Sequence, residues 1–170
     1  MPLKSLDDLF HDTLRDVYYA EKKLTKVLPK MAKNASNEEL VAAFEKHLGE
    51  TENQVARLEQ VFELIGKPAR AKKCEAMEGL AAEGDHVIEE AEDDAVLDAG
   101  LIASAQAVEH YEIARYGALI AWAEQMGNKK AVKLLQETLD EEKACDELLS
   151  GLAGAINEAA TAPEEEEADA

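Results

Sequence analysis

The sequence predicts an all-α protein: a four-helix bundle of two antiparallel helical hairpins, joined by a long crossover that contains an additional helix. Three observations carry this. Of 170 residues, 46% are hydrophobic but only 5% aromatic, and there are four prolines, a composition suited to helices packed through aliphatic side chains. Apolar residues recur at alternating spacings of three and four along four long segments. Two junctions between these segments are short, whereas the stretch between Gly66 and Asp93 is long and weakly patterned. A chain of this size holds one compact core, so residues 1–160 are read as one domain.

The first bundle helix runs from about Ser5 to Lys33. Ser5 and Asp8 form a capping-box-like start, Leu6, Phe10, Leu14, Val17, Leu24, Leu28 and Met31 mark the apolar face, and Pro29 is expected to bend its end. The second starts at the box Ser36…Glu39, carries Phe44, Leu48, Thr51, Val55, Leu58, Phe62 and Ile65, and stops at Gly66-Lys67-Pro68. From Ala69 to Glu92, Met77, Leu80, Ala81, Val87 and Ile88 define a crossover helix weakened by Gly79 and Gly84. The third bundle helix starts after Asp93 or Asp94 and ends at Gly127-Asn128. The fourth runs from Lys129 to Ala159 with Leu134, Thr138, Cys145, Leu148 and Leu152 facing inward. This order, two hairpins and one long crossover, is a known bundle topology with a usable centre.

A formal charge of −19 argues against nucleic acid and anionic membrane as partners, because both require a basic patch and none is visible. Residues 161–170, with Glu164 to Glu167 and Asp169, are expected to form a disordered acidic tail. No signal-peptide pattern or membrane-length apolar run is visible, which predicts a cytoplasmic protein. Cys74 and Cys145 lack metal-type spacing and are read as buried or idle thiols in preference to a disulfide or a redox pair.

The inner stripes carry glutamates where leucine is expected. Glu21 continues Leu14, Val17, Leu24 and Leu28 on the first helix; Glu109 and Glu112 sit among Ile102, Ala105, Tyr116 and Leu119 on the third; Glu141 falls between Thr138 and Cys145 on the fourth. The second helix adds His47 and Glu50, three residues apart, in line with Ala43 and Gln54. Glu21 and Glu50 stand almost equally far along the chain from the turn at Ala35, as do Glu112 and Glu141 from the turn at Asn128. At a rise of about 1.5 Å per residue, each hairpin brings its two carboxylates to one level. Several ionised carboxylates share a dry interior only if protons, cationic side chains or metal ions neutralise them. Oxygen-rich ligation with an imidazole suits two iron ions, with manganese or zinc as alternatives. The competing reading pairs the glutamates with Arg15, Lys22, Arg57 and Arg115. His11, His86 and His110 lack partners at their level and are read as surface or packing residues. Tyr116 lies one turn beyond Glu112, near enough to touch a ligand.

These residues occur in recognisable runs: Tyr19-Ala20-Glu21-Lys22, His47-Leu48-Gly49-Glu50-Thr51, Lys73-Cys74-Glu75-Ala76-Met77-Glu78-Gly79-Leu80, Val108-Glu109-His110-Tyr111-Glu112-Ile113-Ala114 and Leu139-Asp140-Glu141-Glu142-Lys143. Over most of its length the chain resembles the bacterial YciE/YciF family of ferritin-like stress-response proteins, closest to its YciF branch. The resemblance implies a ferritin-like bundle with a dinuclear metal centre, a homodimer and an association with stress. It also shows a departure: ferritin-like proteins typically carry Glu-x-x-His on the second and fourth helices, whereas Glu50 is followed by Asn53 and Glu141 by Ala144.

Three functions follow as expectations. The first is a di-iron oxidase or peroxidase-like protein with Glu21, Glu50, Glu109, Glu112 and Glu141 as ligands and His47 as a sixth, oxidising ferrous iron with oxygen or peroxide. Glu142 remains an alternative to Glu141, and full peroxidase turnover requires a separate electron donor. The second is a non-catalytic metal-stabilised bundle acting through its acidic surface. The third is a metal-free helical interaction protein.

Overall fold

The computed structural model describes residues 3–161. The predicted acidic tail therefore lies outside the described residues except for Thr161. Among the described residues there are five helices and no strand: α1 Leu6–Asn34, α2 Glu38–Leu64, α3 Glu75–Glu90, α4 Asp94–Gln125 and α5 Lys129–Ala160. None of these five helices is long and apolar enough to cross a membrane.

Local chemistry accounts for most boundaries. Ser5 caps α1 by accepting from the Asp8 amide at 3.1 Å, and the helix continues through Pro29 to Asn34. At the start of α2 the cap is Asn37, one residue later than expected, with its side-chain oxygen accepting from the amides of Glu39 and Leu40. Ser36 is drawn away by Asp98 of α4, whose carboxylate accepts from the Ser36 amide at 2.9 Å, the Ser36 hydroxyl at 2.6 Å and the Asn37 amide at 2.8 Å. A buried acid on one hairpin thus anchors the turn of the other.

Helices α2 and α4 end alike. Gly66 and Gly127 adopt φ of +67° and +70°, the left-handed conformation that a side chain disfavours. The next amides, of Lys67 and Asn128, donate back to the carbonyls of Phe62 and Ala123, closing the helix ends. Asn128 then caps α5 through Ala131.

The crossover helix is shorter than its pattern predicts. Residues 67–74 stay non-helical because α1 holds them: Arg15 donates to the Arg70 carbonyl at 3.1 Å, the Lys72 amide donates to the Arg15 carbonyl at 3.0 Å, and the Lys72 ammonium meets Asp12 at 2.7 Å. Cys74 caps α3 through its sulfur, which accepts from the Met77 amide. A Cβ on Gly100 would stand 2.5 Å from Val87 Cγ1, so this glycine permits the close approach of α3 to α4.

Helix α1 packs on α2 and α4 on α5; the hairpins meet through α2 with α5 and α1 with α4, and α3 lies mainly against α4. The core forms two apolar layers. One contains Leu24, Leu28, Leu40, Phe44, Leu101, Met77 and Leu149; the other contains Phe10, Leu14, Leu58, Phe62, Leu119 and Leu135. Between them along the helices lies a buried polar layer.

Candidate metal centre

Each bundle helix contributes to that layer through its inner stripe: Glu21 from α1, His47, Thr51 and Gln54 from α2, Glu109 and Glu112 from α4, Thr138 and Glu142 from α5. Glu21, Glu112 and Glu142 are 0% exposed, and His47 and Glu109 are 2% exposed. Single donor atoms of His47, Glu109, Glu112 and Glu142 all lie within 4.8 Å of one another, a spacing that one cation can bring under shared coordination.

His47 faces several acids. Its Nδ1 is 3.3 Å from Glu50, and its Nε2 is 3.2 Å from Glu109 and 3.5 Å from Glu142. Burial opposes its protonation, but Cys145 and the carboxylates of Glu109 and Glu50 outweigh burial and raise its pKa. Tyr116 donates a hydrogen bond to Glu21 Oε1 and leaves Oε2 free. Burial pushes the Glu21 carboxyl up to about 8, against the lowering effect of Tyr116 and His47. Burial also raises Glu112 and Glu142, reinforced by the neighbouring carboxylates.

Two expected ligands lie elsewhere than the sequence placed them. Glu141 points toward Arg57, whose guanidinium holds both its oxygens at 2.6 and 2.7 Å, while Gln54 donates to one of them at 3.1 Å. Its lone pairs are committed there, and Glu142 takes the inward position. Glu50 stands at the rim, 22% exposed, paired with Lys46 at 2.9 Å as well as with His47. The imidazole beside it and the Lys46 ammonium hold its pKa below the ordinary carboxylate value.

The α5 error has a simple origin. Its buried stripe is Leu135, Thr138, Glu142, Cys145, Leu149 and Ile156, whereas Leu148 is 39% exposed and Leu134 and Leu152 are only half-buried. A face chosen one residue out is rotated by roughly 100°. The inward faces also show what stands where Glu-x-x-His would place histidine, at Asn53 and Ala144. Both positions are exposed, and the inward residues at those levels are Gln54 and Cys145. Cys145, read from sequence as idle, has its sulfur within 4.8 Å of donor atoms on His47 and Glu109.

The residues fit a cationic group. Among the described residues, buried side-chain nitrogen and oxygen atoms without a hydrogen-bond partner fall only on Glu21, His47, Thr51, Gln54, Glu109, Glu112 and Glu142. Stranded buried acceptors are costly, and buried charges more so. None of the four cationic side chains proposed to neutralise the layer pairs with its buried carboxylates, although Arg57 donates to Thr138 at 3.4 Å. Arg15 donates to Arg70, Lys22 lies over the Tyr18 ring, Arg57 holds Glu141, and Arg115 lies over Tyr111. The histidines set aside stay outside it: His11 packs edgewise on Phe62, His86 is exposed, and exposed His110 meets Asp146 at 3.3 Å.

The protein YciF of Escherichia coli strain K12 is 52% identical over 154 residues, spanning 90% of this chain and 93% of that protein. The crystal structure of the E. coli stress protein YciF superposes with a TM-score of 0.88 at 50% identity, covering 92% and 99% of the two chains. A two-domain protein of Anabaena variabilis, containing DJ-1/ThiJ/PfpI-like and ferritin-like domains, matches with a TM-score of 0.64 at 17% identity, over 98% of this chain and 42% of that one. The last likeness concerns the fold alone, a ferritin-like bundle. The family described as a domain of unknown function, DUF892, matches residues 5–162, and with the E. coli relative this establishes that the chain belongs to that family.

Proposed function

We propose that this is a stress-associated ferritin-like protein whose polar layer binds a dinuclear metal centre, iron in the first instance, and oxidises ferrous iron with oxygen or peroxide. The supporting observation is that, among the described residues, the unpartnered buried side-chain polar atoms collect in one carboxylate and imidazole layer whose carboxylates pair with no lysine or arginine. The link to stress comes from the E. coli relative, which is named a stress protein.

Glu21, Glu109, Glu112 and Glu142 are the carboxylate ligands in this reading, with His47 as the imidazole ligand. Four carboxylates and two divalent ions carry equal and opposite charge, so the pair neutralises the layer without further cations. Tyr116 orients Glu21 by engaging one of its oxygens, and Arg57 withdraws Glu141 from competition. Glu50, partly exposed beside His47, serves at the rim as a capture point for incoming cations. Two ferrous ions held by these residues would supply two electrons, enough with two protons to reduce one hydrogen peroxide to two waters. The apolar layers above and below keep water from the ligands.

Elemental analysis after anaerobic loading with ferrous iron and desalting tests the proposal. About two ions per chain are expected, lost in a Glu112→Gln, Glu142→Gln double variant and kept in Glu141→Gln. A parent protein that retains no iron, manganese or zinc sinks the proposal. Metal retention without oxygen- or peroxide-dependent oxidation of iron leaves a metal-stabilised bundle and removes the catalytic half.

A further inference from the structure

Cys145 is a donor that this ligand set leaves unused. It is a free thiol, 4% exposed, and stands one helical turn beyond Glu142 on the inward face of α5. Its Sγ, one ring nitrogen of His47 and one carboxylate oxygen of Glu109 all lie within 4.8 Å of one another. His47 Nε2 faces Glu109 at 3.2 Å and Glu142 at 3.5 Å but, like Glu109 Oε2, is buried without a well-formed hydrogen bond, so both side chains beside the sulfur carry a donor atom that a metal could take up. The other cysteine differs. Cys74 Sγ is occupied by the Met77 amide and the Tyr111 hydroxyl, on the crossover side of the bundle.

We propose that Cys145 is a metal ligand, so that the centre offers two unlike positions: a nitrogen, oxygen and sulfur position at His47, Glu109 and Cys145, and a harder position drawing on Glu112 and Glu142. This rests on the reading of the layer as a metal centre. Binding forms a bond between sulfur and the metal, breaks the S–H bond and releases the proton to solvent, because a coordinating thiol is deprotonated. A thiolate favours zinc, cobalt(II) or ferrous iron over manganese or magnesium. The first position therefore selects the softer ion and the second accepts a harder one.

Cobalt(II) distinguishes this inference from the reading beneath it. Reduced, metal-free protein titrated anaerobically with cobalt(II) is expected to show visible ligand-field bands together with a near-ultraviolet thiolate-to-cobalt charge-transfer band. That second band should persist in Cys74→Ser and disappear in both Cys145→Ser and Cys145→Ala. If the Cys145 variants do not fold, X-ray absorption of zinc-loaded parent and Cys74→Ser proteins decides the matter: one sulfur neighbour at about 2.3 Å is expected in both. Ligand-field bands with no charge-transfer band, or zinc with only oxygen and nitrogen neighbours, overturn the role of Cys145 and leave the metal centre standing. A charge-transfer band that survives in Cys145→Ala also overturns it. Failure to retain either metal overturns both.

Discussion

The apolar layers and the polar layer between them are built on the same four helices, yet they stand in opposite relation to folding. In the layers around Phe62 and Leu24, side chains gain by leaving water, and nothing else is needed to complete them. The middle layer buries four glutamates and one histidine while leaving several of their atoms unpartnered. Each buried ion costs several kcal/mol unless it is matched. The ends therefore hold the bundle together, and the centre draws on that stability until a cation arrives. This division predicts different responses to substitution, pH and metal.

The largest effect is expected at an apolar end. Phe62 is 0% exposed and packs against Tyr18 with ring centroids 5.5 Å apart. Phe62→Ala should cost roughly 3–5 kcal/mol, from lost transfer energy and a residual cavity, by the same amount with and without metal. Denaturant unfolding of both forms measures this. A cost that shrinks strongly on metal loading would show that ends and centre are not separable.

The centre should respond in the opposite direction. Glu142→Gln keeps the shape and replaces a buried carboxyl whose ionised form is disfavoured by burial and the neighbouring carboxylates and favoured only by His47, so the metal-free protein should gain roughly 1–2 kcal/mol, in the lower part of the range seen when buried ions are replaced. The same variant should lose most of the rise in Tm that ferrous iron gives the parent. A metal-free variant less stable than its parent would mean that Glu142 is already satisfied in the apo state.

The pH dependence sharpens the comparison. The Glu21 carboxyl titrates near 8 in the folded chain, against an ordinary 4.5. The stability that its protonated form contributes is present below about 4.5 and lost as pH rises through 8. His47, raised from 6.5, has the same sign: its contribution is also lost as pH rises. Metal-free protein should therefore lose Tm between pH 4.5 and 8, at no more than about 1.4 kcal/mol per pH unit for each proton involved. Metal ligands must be deprotonated, so ferrous iron should stabilise more as pH rises over the same window. Melting curves with chelator and with iron should diverge; parallel curves would break the link between the carboxylates and the metal.

The two kinds of layer were not equally legible in the sequence. Turn glycines and the aliphatic spacing are local signals, and they place the C-terminal ends of α2 and α4 and the start of α5 closely. Glu21, His47, Glu109 and Glu112 were visible as polar residues on apolar stripes. The rest depends on contacts between distant elements. Asp98 moves the α2 cap by one residue, and Arg15 holds 67–74 out of the crossover helix; neither effect has a signature within ten residues of the place it acts. On α5, steps of three then four and four then three both connect Thr138 to Cys145, so spacing alone cannot choose between Glu141 and Glu142. Arg57, across the bundle on α2, makes the choice.

That choice leads to the smallest effect. The Arg57 and Glu141 side chains are 19% and 26% exposed, and their forked contact belongs to the partly solvated rim. Water already screens such a pair, so Glu141→Gln should cost about 1 kcal/mol or less. It should leave metal content unchanged, since both oxygens of Glu141 serve the guanidinium and not the layer. Arg57→Met gives the sharper test because it frees the Glu141 carboxylate while Glu142 stays in place. If it binds metal like the parent, Arg57 is a rim partner only. If it takes up an additional ion, the pair has been keeping a fifth carboxylate away from the centre.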